Sequence, residues 1–409
     1  MATSGQAPPP TARRLVLVLH RYAGLALMLF LLLEGVTGSL LAFYIPLERV
    51  VTPELFAPPH PGMPRMTPGE LAVRAEAMVP AGRVGYLYSD GDQASVRMQA
   101  RDAAHPLDFT HLYLDPYTGT ELGRRRDGDI TQGRINILPF IFRLHRDLAL
   151  GESGATILGV VALAWTLDCF YSVYLTLPRG GTRFWARFAT AWRIKGTANP
   201  FRINYDVHRS LSLWFWPLFL IFGWSSVMLD LNGTYRAVMD RVSRRVPITD
   251  LPTLHPVHVE FTPRLSWIAA EMRAHEVMAQ VARKEHLVLG EQLGIGYQPE
   301  LGVYDTAVRS NADIRCDGWN TGLWLDGDSG ALQTVSLPRR GLAGDQIDAW
   351  LWALHYGDLF GLLSYRILVC IFGIVVAAVC GTGFYIWLRK RAPRLLRQAP
   401  MEKRERATF

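Results

Sequence analysis

Four histidines stand at or just before long apolar stretches: His20 in LHRYAGL, His145 in RLHRDL, His208 in DVHRSL and His355 in ALHYGDLFG. Arginine follows three of them directly, giving His20-Arg21, His145-Arg146 and His208-Arg209, whereas Tyr356 follows His355. A neutral imidazole nitrogen is a good axial ligand for iron, and two imidazoles from different helices can hold a haem inside a helical bundle. A guanidinium beside each ligand suits a propionate carboxylate at a membrane edge. Tyr22, Gly24, Trp214, Trp216, Trp352 and Gly357 offer flat or small surfaces against which a macrocycle packs. One such histidine alone reads equally well as a helix cap or an interfacial residue. Four in a repeated pattern favour ligation, because charged groups within a membrane cost roughly 2.5 kcal/mol or more.

The elements that would position these residues are membrane helices. A bilayer core of ~30 Å needs about 20 mostly apolar residues per helix. Four stretches qualify, approximately 15–44, 155–177, 211–229 and 362–388. Polar segments between them keep the mean hydropathy only weakly positive. The chain divides into a tail (1–14), a first span (15–45), an outer segment ending in a His-bearing helix (46–148), a second span (149–177), a basic loop (178–205), a third span (206–230), a second outer segment (231–354), a fourth span (355–388) and a basic tail (389–409). Arg13 and Arg14, the arginines and lysine of the basic loop, and Arg389, Lys390 and Arg391 all fall on one side, which the positive-inside rule makes the cytoplasm. Both termini are then cytoplasmic, and the net charge of +7 reads as a topology signal, with nucleic acid not expected as a partner. The first apolar run is too long for a signal-peptide core and is expected to be retained.

The two halves match at several offsets. His20 lies fifteen residues before Gly35, as His208 does before Gly223, and Cys169 precedes Tyr174 by five, as Cys380 does Tyr385. LYLDPYTG (112–119) in one outer segment answers LWLDGDSG (323–330) in the other. Duplication with parallel halves is the expectation. Each outer segment should fold as a small α+β domain, with a covering helix near 68–78 or 265–282 and Asp115 and Asp326 shaping turns. In this topology His20 and His208 form a pair near the inner face, and His145 and His355 a pair near the outer face.

Other polar residues in the spans leave two readings open. Glu34, Asp168 and Arg366 suit either a proton relay or propionate contact, or an interhelical bond. Cys169, Cys370 and Cys380 read as packing residues, and Cys316 stands alone. Of the outer histidines His105, His111, His255, His258, His275 and His286, only His255-Pro-Val-His258 has close spacing, and it is weak evidence for metal. Gly290, Gly294 and Gly296 lack the strand-to-helix setting of a dinucleotide fingerprint, so electrons would have to come from another molecule.

With LHRYAGL, LYLDPYTG, RLHRDL, DVHRSL, LWLDGDSG and ALHYGDLFG in this order, the chain resembles the PepSY-associated transmembrane family from about Arg14 to Arg391. The resemblance implies a bundle of four transmembrane helices with PepSY-like α+β domains in the periplasm, in the bacterial inner membrane. It also implies b-type haem, two groups being expected, with His20, His208, His145 and His355 as axial ligands to the iron. Arg21, Arg146 and Arg209 are the accompanying cofactor contacts. Members of the family include reductases of iron-siderophore complexes, so the implied activity is electron transfer from a soluble reductase or quinol to a periplasmic ferric siderophore, releasing Fe(II). Two other classes compete: a PepSY membrane protein that binds peptide or inhibits a protease, and a His-lined metal or proton transporter.

Overall fold

The computed structural model describes residues 12–178, 182–244, 262–316 and 321–398, with side chains of the last helix described to Arg391. Helices in chain order are α1 (Ala12–Leu41), α2 (Tyr44–Val51), α3 (Pro68–Met78), α4 (Ile137–Asp147), α5 (Glu152–Thr176), α6 (Phe184–Ala189), α7 (Pro200–Trp214), α8 (Trp216–Asp230), α9 (Asn232–Met239), α10 (Trp267–Glu285), α11 (Ala343–His355) and α12 (Leu363–Gln398). Strands are β1 (Gly82–Asp90), β2 (Gln93–Ala100), β3 (His111–Leu114), β4 (Glu121–Arg125), β5 (Leu289–Gln298), β6 (Val303–Ser310), β7 (Thr321–Asp326) and β8 (Leu332–Ser336). The described residues divide into two compact units: those within 1–40, 145–235 and 367–409 form a helical one, and those within 41–144 and 236–366 form the other.

Within the helical unit, α1, α5 and α12 are each long and apolar enough to cross a membrane. The third expected span is different. It is two helices, α7 and α8, that meet at 65° and meet the same length and composition criterion only together. Pro217 supplies the cause, since it has no N–H to give and its ring crowds the carbonyl four residues back. The core of this unit is apolar: Leu27, Leu31, Val161, Cys169, Phe219, Phe372, Val375 and Val376 pack together. Small residues bring the helices close. Gly373 of α12 faces Gly35 and Ser39 of α1 so tightly that a Cβ there would lie 2.0 Å from the Ser39 hydroxyl oxygen. Where hydrophobic association is weak, such close backbone approach and interhelical hydrogen bonds hold helices together. Here Ser39 donates both within its helix, to the Gly35 carbonyl, and across to that of Cys370, while the Cys370 thiol donates to the Ser39 carbonyl.

The other unit is built on one sheet. The outer segments were expected to form two small domains; instead their strands join in a single eight-stranded antiparallel sheet, β4-β3-β2-β1-β5-β6-β7-β8. The seam is β1 against β5, with Tyr86 opposite Gly296, Leu87 opposite Ile295 and Tyr88 opposite Gly294. Strand alternation puts Leu87 and Ile295 on the side covered by α3 and α10, in one core with Leu71, Ala75, Leu114, Trp267 and Tyr304. Glu271 of α10 ties the two helices, accepting from the Thr67 hydroxyl at 2.6 Å and from the Gly69 amide at 3.0 Å at the start of α3. A carboxylate there also suits the positive end of the helix. Gly290, Gly294 and Gly296 all lie inside strand β5, where the last two leave room for the Tyr86 ring.

The aspartates of the two matching motifs shape turns. Asp115 accepts from the amides of Tyr117 and Thr118, and Asp326 from those of Asp328 and Ser329. Gly119 and Gly330 close these turns with φ of 65° and 67°.

Asp305 sits beside the seam on β6, opposite Gly296, and is 7 % exposed. Burial pushes its carboxyl up to about 6, against the opposing pull of a hydrogen bond from Gln298. The folded chain therefore prefers the neutral acid. That preference is fully present below the ordinary value of 3.8 and is lost as pH rises through about 6. Asp305→Asn should stabilise the fold at pH 8, by up to about 3 kcal/mol at 1.36 kcal/mol per pKa unit, and so raise Tm there, while changing it little at pH 4. Equal shifts at both pH values in thermal melts of the purified protein would contradict this account.

Candidate functional site

Two of the four singled-out histidines come together in the helical unit. His20 of α1 and His208 of α7 have ring centres 6.3 Å apart, with planes inclined at 55°. Each ring is held by one nitrogen. His20 Nδ1 lies 2.9 Å from both carboxylate oxygens of Asp168 on α5. His208 Nδ1 lies 3.0 Å from the Val379 carbonyl and 3.2 Å from the Thr382 hydroxyl, both on α12. The Thr382 hydroxyl spends its own proton on the Ala378 carbonyl, so every partner of the two Nδ1 atoms is an acceptor. Both Nδ1 atoms must then carry the proton, and both Nε2 atoms keep their lone pairs. This is the tautomer that a metal-ligating imidazole needs, fixed by the bond its other nitrogen makes.

The spacing suits a shared metal. Imidazole–metal bonds are about 2 Å long, and two of them with two ring radii account for a separation of this size. Gly24, one helical turn after His20, has nothing within 4 Å of where a Cβ would sit. The space beside the His20 imidazole is therefore open on that face of α1. Among the described residues, Arg21 has no hydrogen-bond or ion-pair partner, and its guanidinium is free to meet an anion. Also among the described residues, no three His, Cys, Asp or Glu side chains group as ligands for a bare metal ion. What the described residues offer here is a pair of imidazoles from two helices.

His145 is anchored in the same way. Its Nδ1 lies 2.9 Å from Glu34 and 2.9 Å from the Thr37 hydroxyl, both on α1, and the hydroxyl donates to the Leu33 carbonyl. Its expected partner, His355, lies in the other compact unit at the end of α11, where its ring meets Tyr356 at 6.1 Å. The three polar residues left open by the sequence now have partners: Asp168 and Glu34 each bond a histidine, and Arg366 lies 3.9 Å from the buried Asp358. Of the other two arginines, Arg209 donates to Asp206 and to the carbonyls of Thr190 and Ala191, bracing the basic loop against α7. Arg146 donates to Asp147 at 2.6 Å.

Two glycines admit the rings. A Cβ on Gly383 would stand 3.0 Å from His208 Cε1, and one on Gly38 would stand 3.1 Å from His145 Cε1. Nothing in the spacing of RLHRDL or DVHRSL marks either glycine, since each lies on a different helix from the ring it admits. Asp206, 1 % exposed, is different: it bonds Arg202 and Arg209 on its own helix, at the i,i+4 and i,i+3 spacing that opens DVHRSL, so its signal was local.

The remaining histidines are paired or peripheral. His60, which carries no spacing signal, bonds Asp115 at 2.8 Å; burial acts against the shift, but the Tyr117 amide and His60 hold that carboxyl below its ordinary range. His105 meets Asp102 and His111 meets Asp127. His286 ends α10, and His275 lines a cleft of about 200 Å³ with Arg65, Ser89, Glu271 and Glu291. His255 and His258 lie outside the described residues.

The family described as "PepSY-associated TM region" matches residues 17–390, and the chain belongs to it. It is a membrane protein of that family, with α1, α5 and α12 its candidate spans. No curated protein matches the chain.

Gly383→Leu should force His208 off its acceptors, and Gly38→Leu should do the same to His145. Overpacking of this kind costs roughly 1–3 kcal/mol. The expected result is a lower melting temperature for each purified variant, with Gly24→Ala, placed in open space, close to the parent.

Proposed function

We propose that the protein is a di-haem b-type oxidoreductase that carries electrons across the bacterial inner membrane to a periplasmic ferric siderophore, releasing Fe(II). The observation that carries this reading is the His20–His208 pair, two imidazoles from different helices with both Nδ1 atoms committed to acceptors. His20 and His208 would hold one haem, with Arg21 free for a propionate. His145, anchored by Glu34 and Thr37, would serve the second with His355. Haem b, when bound, supplies one-electron chemistry that no side chain of this chain offers.

The protein's own residues do the positioning. Asp168, Val379 and Thr382 fix ring orientation and tautomer, Gly383 lets His208 seat, and the apolar core around Leu27, Phe219 and Phe372 excludes water. The bent α7–α8 pair is the third of four crossings in this reading. The arginines of the basic loop and the two termini mark the cytoplasmic side, where a soluble reductase or quinol donates. The eight-stranded sheet then lies in the periplasm, and its palindromic order supports an origin by duplication. Reduction of the bound Fe(III) weakens its chelate, which is why electron delivery suffices to release iron.

The absorption spectrum of detergent-purified, haem-supplied protein before and after dithionite tests the reading. A sharp Soret band with b-type α and β bands on reduction is expected. His20→Ala and His208→Ala should remove the same spectral component, and His145→Ala and His355→Ala the other, each single variant losing about half the pigment. Fully folded protein without pigment would sink the haem reading. Loss of one and the same component in His20→Ala and His355→Ala would sink the pairing.

A further inference from the structure

We propose that Asp168 is a positioning residue that lowers the reduction potential of the His20–His208 site. The proposal rests on the haem reading and adds what the second shell of that site does. The two imidazoles are backed differently: His20 donates to a carboxylate, whereas His208 donates to a carbonyl and a hydroxyl, both neutral. Both Asp168 oxygens lie 2.9 Å from the same His20 nitrogen. The side chain is 14 % exposed, and no Lys or Arg among the described residues pairs with it. Its negative charge is therefore neither screened by water nor cancelled by a neighbour, and in a low-dielectric interior it acts strongly on the ring.

A proton shared with a carboxylate makes the imidazole a more basic ligand, and a more basic ligand favours the oxidised, more positive iron. Outer-shell hydrogen bonding is one of the recognised levers on such a potential. The effect has a use in this position. A site near the donor side that must hand electrons on to the second haem, and through it to a chelated ferric ion, delivers them more readily the lower its own potential lies. Asp168 also explains itself as sequence: an acid inside an apolar helix is costly unless it performs a task, and its partner among the described residues is a candidate ligand.

The test is a potentiometric titration of the haem-loaded, full-length protein followed at the α band. Asp168→Asn should keep its pigment and shift the midpoint of one component upward, each tenfold loss of preference for the oxidised state reading as about 59 mV. Asp168→Glu should stay near the parent, and Thr382→Val, which alters a neutral acceptor of His208, should move the midpoint little. Full pigment with an unmoved midpoint in Asp168→Asn overturns the proposal. If that variant loses its pigment, the redox-difference infrared spectrum of parent protein labelled with 13C-aspartate decides: a carboxylate stretch that shifts on reduction supports the role, and its absence overturns it. Parent protein that takes up no haem overturns the haem reading itself, and this proposal with it.

Discussion

An imidazole set among apolar helices has two nitrogens and no water to satisfy them, so one must be given to the protein before the other can do anything. Much of the helical unit follows from that constraint. Asp168 and Glu34 are carboxylates in places where a carboxylate is expensive, and each ends on a histidine Nδ1. Thr37 and Thr382 turn their hydroxyl protons back onto their own helices and so become pure acceptors for a ring. Hydroxyls that bond four residues back are common in apolar helices. In this chain the habit also fixes which nitrogen of His145 and His208 is left with a lone pair.

The same constraint orders the packing. A ring that must reach an acceptor on a neighbouring helix needs that helix to come close, and Gly38 and Gly383 stand where any Cβ would crowd the imidazole edge. Gly35, Ser39 and Gly373 do for the α1–α12 crossing what these glycines do for the rings. Close approach, and not a larger apolar area, is what holds such helices together.

How much of this was legible depended on whether the signal was local. Equal offsets from His20 and His208 to a glycine pointed to a pair, and their rings lie within reach of one another. LYLDPYTG and LWLDGDSG announced strand and turn, because an aspartate that accepts from amides two and three residues on is a local device. Partners across helices were not legible: His20 and Asp168 are 148 residues apart, and helical phase says which face a residue occupies without saying what it faces. The bend before α8 had a local sign in Pro217, outvoted by the apolar run around it. The fusion of two expected domains into one sheet had none, since a strand edge looks the same whether it meets water or another strand.

That fusion has a kinetic side. β1 pairs with β2 across a two-residue turn, but its other edge waits for β5, roughly 200 residues further along the chain. Pairings so distant in sequence are slow to form, because the chain between must first be ordered. During synthesis the first four strands therefore stand with one of their sheet's edges open, and an open edge invites any strand that passes. Biogenesis of this protein is a race between β5 and every other exposed strand around it, which makes the edge of β1 the point at which a chaperone would have the most to protect.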